Sequence, residues 1–190
     1  MNQDFITIVS GLPRSGTSLM MQMLTSGGMP AMTDSARAAD ESNPRGYFEL
    51  EAVKRLRSDQ SWLEQARGRA VKIIHLLLRE LPIDGRFEYR VLFMLRPIEE
   101  VLASQRAMLA RQGKPAASAS LAGIYQSQLA QAQECMRAHP CFSCLALEHH
   151  RVIQQPAASA AAIAGFLQRD LDVDAMAAAV DLSLWRERQN

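Results

Sequence analysis

The hydrophobic pattern opens with Phe5-Ile6-Thr7-Ile8-Val9, a β-rich run that stops at Ser10-Gly11 and predicts a buried strand. Leu19, Met20, Met21, Met23 and Leu24 then recur at helical spacing until Gly27-Gly28 ends the pattern. Residues 70–78 and Tyr89–Leu95 form two further apolar runs, too continuous for half-exposed hairpin strands and so expected as buried strands. Pro97 suits a first helical turn, and Val101, Leu102, Met108 and Leu109 mark one helix face until Gly113-Lys114-Pro115 breaks it. A long helix over residues 118–137, closed by His139-Pro140, leads to a short strand over 142–147. An Ala-rich helix follows from Pro156 to Leu167, and Asp174 is placed to cap a last helix running toward Leu184 or Trp185. Residues 29–69 are polar and weakly periodic, which predicts loops and short helices over a ligand side.

Strands alternating with helices predict an α/β fold: a three-layer P-loop-type arrangement with a mainly parallel sheet flanked by helices. The length of 190 residues suits one domain spanning 1–190. Hydrophobic residues make up 48% of the chain, yet no apolar run approaches the roughly 18 residues of a membrane span, so no membrane partner is expected. Lys plus Arg exceeds Asp plus Glu by one, which argues against broad nucleic-acid binding and requires any bound anion to be held locally. Three cysteines, and a first apolar run too short for a signal-peptide core, point to reduced thiols in a cytoplasmic protein. Cys141 and Cys144 are expected as core thiols, because a single Cys-x-x-Cys pair lacks the second pair of a structural zinc site. His149 and His150 are expected in a solvated turn, and Met20, Met21 and Met23 as core filler.

Candidate chemistry centres on Gly11-Leu12-Pro13-Arg14-Ser15-Gly16-Thr17-Ser18, which has the glycine spacing of a phosphate loop between a strand and a helix. Such a loop turns backbone N–H groups toward one anion, and the helix N-terminus adds partial positive charge. Thr17 stands where a nucleoside triphosphate loop carries lysine, and Arg14 places a cation inside the loop instead.

Pro13, Arg14, Ser15, Gly16, Thr17 and Ser18 resemble the 5′-phosphosulfate loop of sulfotransferases that use 3′-phosphoadenosine 5′-phosphosulfate (PAPS). Arg96-Pro97-Ile98-Glu99-Glu100-Val101-Leu102-Ala103-Ser104 is similar to that family's 3′-phosphate segment, with Arg96 and Ser104 at its spacing and Pro97 where the family has Asp or Asn. Glu41-Ser42-Asn43-Pro44-Arg45-Gly46-Tyr47-Phe48-Glu49 resembles the acceptor-side segment of bacterial members. The resemblance implies PAPS as co-substrate and a small-molecule or carbohydrate acceptor. It also leaves room for a pocket completed by a second copy in a homodimer.

Sulfuryl transfer needs charge stabilisation at the leaving phosphate, which assigns Arg14 a catalytic role, and a base for the acceptor proton. Glu49 and His75 are the candidates, with Glu41 in reserve. His75-Leu76-Leu77-Leu78-Arg79-Glu80-Leu81-Pro82 is similar to the segment after the catalytic histidine of cytosolic sulfotransferases, but Lys72 lies three residues before His75 rather than two, and in a strand that parity puts them on opposite faces. The design demands no metal. A small P-loop nucleotide kinase and a non-catalytic nucleotide-binding protein are the alternatives.

Overall fold

Ile6–Gly11 forms the first strand, β1, and every residue of it is buried, as its unbroken apolar and β-branched sequence requires of a central strand. The computed structural model describes residues 4–34, 46–114 and 121–181. The other strands are β2 (Ala70–Lys72), β3 (Tyr89–Leu95) and β4 (Phe142–Glu148), all parallel, in the order β2-β1-β3-β4. The helices are α1 (Thr17–Ser26), α2 (Ile98–Arg111), α3 (Leu121–Ala138), α4 (His149–Gln154), α5 (Pro156–Leu167) and α6 (Val173–Ala178). Shorter 3₁₀ turns cover Glu51–Arg55, Ser61–Ala66 and His75–Glu80.

Alternation along the strands builds two cores. Ile6, Ile8, Val91 and Phe93 point to one side and pack with Trp62, Leu63, Leu78 and Met136 of the 3₁₀ turns and α3. Val9, Leu92 and Met94 point to the other, against Met20 and Leu24 of α1, Val152 of α4, Ile163 of α5 and Met176 of α6. The fold is therefore α/β in three layers, a parallel sheet flanked by helices, as expected. None of the described helices is long and apolar enough to cross a membrane.

Three expectations are corrected. The run 70–78 is a strand for only three residues and then turns into 3₁₀ helix at His75. His75, Leu78 and Leu81 are buried at a spacing of three, so one face of a three-residue-per-turn helix, and not one face of a strand, supplies the core there. Asp172 rather than Asp174 caps α6, its carboxylate accepting from the Ala175 N–H at 2.8 Å; the chain beyond residue 181 lies outside the described residues. Cys144 is exposed and lines a surface groove with Met136, Pro140 and Phe142, because β4 lies at the sheet edge, while Cys135 and Cys141 are half-buried.

Candidate anion-binding site

β1 hands the chain to α1 through the 11–18 loop at the carboxyl edge of the sheet, where ligands bind in open α/β folds. Gly11 pairs with Met94 of β3, and an added Cβ at residue 11 would stand 2.6 Å from the Met94 carbonyl oxygen and 2.5 Å from Ser15 Oγ. This close approach brings the loop against the start of the segment after β3. Gly16 is the N-cap of α1 at φ 102°, a left-handed conformation that a side chain disfavours, and no cap side chain competes for the first helical N–H groups. The first turn of α1 also carries no acidic residue.

Within the loop the Ser15 N–H closes a turn onto the Leu12 carbonyl at 3.1 Å. Ser15 is 1% exposed, and its hydroxyl meets no hydrogen-bond partner among the described residues. Pro13 is exposed, and Thr17 and Ser18 open α1 half-buried. Arg14 adopts φ 71° and donates from Nε to Ser104 Oγ at 3.1 Å. Arg96 donates from Nη1 to the Arg14 carbonyl at 3.1 Å and from Nε to Glu100 at 2.9 Å. Arg14 thus lies between Arg96 and Ser104, 82 and 90 residues further along the chain, and the two segments meet at its main chain and side chain. Pro97 is accommodated as the N-cap of α2, its carbonyl accepting from the Glu100 N–H at 3.0 Å.

Four residues that the sequence assigned no role in the site belong to it. Lys72, at the end of β2, donates from Nζ to the Tyr47 carbonyl and lies 3.5 Å from Ser18 Oγ. The loop lacks its own lysine, and the neighbouring parallel strand brings one; its position at a strand's carboxyl end was the available signal. Glu100 is 2% exposed and held between Arg96 and His150, whose Nε2 is 2.8 Å from Oε1. Burial pushes the Glu100 carboxyl up, but hydrogen bonds from His150 and Arg96 outweigh it and hold it below the usual carboxylate range. The expectation of a solvated turn at 149–150 is corrected: both residues open α4, and His149 is buried against Gly16. Burial, with the charges of Arg96 and His150, takes the His149 ring down to about 3, so it is neutral.

His75 and Glu49 fall in different settings. His75 is 3% exposed; its Nδ1 donates to the Gly11 carbonyl at 3.1 Å, and its Nε2 faces the Gln128 amide at 3.0 Å. It lies beneath the loop while Lys72 reaches the first turn of α1, so the two do diverge. Glu49 is placed by its backbone, the carbonyl accepting from Thr33 Oγ1 at 2.8 Å and from the Asp34 N–H at 3.2 Å, next to Phe48 at φ 51°. Residues 41–45, including Glu41, lie outside the described residues. Tyr47, from the same segment, is buried with its ring 5.9 Å from Lys72 Nζ.

Among the described residues the site gathers Arg14, Lys72, Arg96 and a helix N-terminus, with the Glu100 carboxylate bonded to Arg96. Donor atoms of Glu100, His149 and His150 lie within 4.8 Å of one another. A metal ion there would face the Arg96 guanidinium already bonded to Glu100, so the arrangement favours an anion over a cation.

No protein-family model matches the chain, and no curated protein does. Among solved structures it resembles an unliganded sugar kinase from Janibacter sp. HTCC2649 at 15% identity and a TM-score of 0.47, covering 94% of this chain and 99% of that one. At that level the likeness carries nothing about chemistry.

Proposed function

We propose that this chain is a single-domain sulfotransferase that takes a sulfuryl group from PAPS to a hydroxyl or amine of a small molecule or carbohydrate. One observation carries the reading. Arg14 of the loop bonds Ser104, and Arg96 bonds Arg14, so the resemblance to a 5′-phosphosulfate loop and the resemblance to a 3′-phosphate segment converge on one place.

In this reading the N–H groups at the start of α1 and the Ser15 hydroxyl bind the 5′-phosphosulfate, while Ser104 and Arg96 serve the 3′-phosphate. The acceptor oxygen or nitrogen forms a bond to sulfur as the bond from sulfur to the bridging phosphate oxygen breaks. The leaving 5′-phosphate of 3′-phosphoadenosine 5′-phosphate (PAP) gains charge, which Arg14 stabilises, while Lys72 serves the sulfuryl oxygens, and positioning supplies the rest. The acceptor proton passes to Glu49. Both His75 nitrogens are engaged, so His75 serves as a brace for the loop.

A second reading, a small P-loop kinase, draws on the Lys72 ammonium beside Ser18, which can serve a triphosphate as a loop lysine does. Thermal shifts and calorimetry with PAP, adenosine 5′-phosphosulfate and ATP with magnesium separate the two, since a preferred ligand stabilises the folded state. Preference for PAP is expected. Preference for ATP overturns the sulfotransferase reading, and PAP binding without transfer to any acceptor leaves a nucleotide-binding protein.

A further inference from the structure

Arg14 occupies a backbone region that costs an ordinary residue free energy, so surrounding groups must impose it. Two contacts reach this residue from α2 and the segment before it. Arg96 Nη1 holds the Arg14 carbonyl at 3.1 Å, and Ser104 Oγ accepts from Arg14 Nε at 3.1 Å. The Arg96 side chain, at 7% exposure, is itself too buried to stand without a counter-charge. Glu100, one helical turn on, supplies it at 2.9 Å, and His150 Nε2 from α4 bonds the same carboxylate at 2.9 Å. A chain of contacts therefore runs from the start of α4, through Glu100 and Arg96, to the strained residue of the loop.

We propose that Glu100 is a positioning residue whose carboxylate holds Arg96 on the Arg14 carbonyl and so sets the conformation of the 11–18 loop. The inference rests on reading that loop as an anion cradle. It assigns Glu100 no contact with substrate. A carboxylate beside an anion site is unfavourable by charge alone, and its place here follows from what it does to Arg96: it fixes the direction of the guanidinium and offsets its burial. A fork held at Nε by a carboxylate presents Nη1 in one direction, toward the Arg14 carbonyl, and loss of that carboxylate removes the constraint on this direction.

The test is a double-mutant cycle on PAP affinity by calorimetry, with Glu100→Gln, Arg96→Met and the double variant. Glu100→Gln is expected to weaken PAP binding tenfold or more, to add less than twofold in the Arg96→Met background, and to be largely rescued by Glu100→Asp. Additive losses, or a Glu100→Gln protein within twofold of wild type, overturn the proposal. Amide hydrogen exchange of residues 14–18 without ligand gives an independent readout. Exchange there should quicken tenfold or more in Glu100→Gln while β1 and β3 stay protected, and unchanged loop exchange overturns the proposal. Should wild type bind no PAP, the functional reading fails, and the exchange comparison decides the positioning role by itself. Should Glu100→Gln not fold, Arg96→Lys keeps the charge but loses the fork and carries the same exchange comparison, with unaltered loop exchange again counting against it.

Discussion

A methyl group at Gly16 would stand 2.6 Å from Cδ2 of His149, so the first residue of α4 sets a steric limit on the N-cap of α1. Gly16→Ala meets this clash and the cost of φ 102° together. The variant should lose on the order of 2–4 kcal/mol in urea unfolding, and its PAP affinity should fall below detection. Adding His149→Ala should return part of the stability, because it opens the space without changing φ.

Arg14 combines a strained backbone with a charge aimed at the site. Arg14→Ala and Arg14→Gly should both lower turnover by roughly 10²–10³-fold, the scale of losing one transition-state charge contact. Gly at residue 14 should be more stable than Ala by about 1 kcal/mol, because it adopts φ 71° without steric cost. Equal melting temperatures for the two variants would show that the backbone relaxes.

Lys72 stands where the sulfuryl group of PAPS would lie in the proposed reading. Lys72→Met should weaken PAPS more than PAP, by about 1.5–3 kcal/mol, the range of one charge-assisted hydrogen bond. Competition binding with a non-transferable PAPS analogue measures the difference, and an equal loss for both ligands would remove Lys72 from the sulfuryl position.

His75 should matter for folding before chemistry. His75→Ala leaves the buried Gly11 carbonyl without its donor, at a cost of roughly 1–3 kcal/mol seen in the urea midpoint. Transfer per folded molecule should stay close to wild type. A hundredfold loss in a fully folded His75→Asn protein would make this ring the base in place of Glu49.

His149 links the site to pH. Its folded value of about 3 lies below the ordinary 6.5, so between these values the unfolded chain takes up a proton that the folded protein does not. Stability is therefore full above pH 6.5 and falls as pH drops toward 3, with a slope of at most about 1.4 kcal/mol per pH unit from this residue. Urea midpoints between pH 5 and 7 should slope in wild type and flatten in His149→Asn.

Local chemistry alone made much of this molecule readable. Phe5 to Val9 could bury a strand, the glycines at 11 and 16 could turn it into a helix, Tyr89–Leu95 is apolar enough for an interior strand, and Pro156 opens α5, because each rests on propensities and periods within one short segment. The loop was legible for the same reason, and the 96–104 segment through its resemblance to a family's 3′-phosphate segment. What only the tertiary structure decided is which groups from distant segments meet. Residues 70–78 are as apolar as a strand or a buried helix, and packing against α3 ended β2 after Lys72 and turned His75 under the loop. The order β2-β1-β3-β4 then brought Lys72 to Ser18 and His150 of α4 to Glu100, so that Glu100 lies between Arg96 and His150. Burial and charge pairing across such distances depend on the three-dimensional neighbours of a residue, and no spacing along the chain contains them.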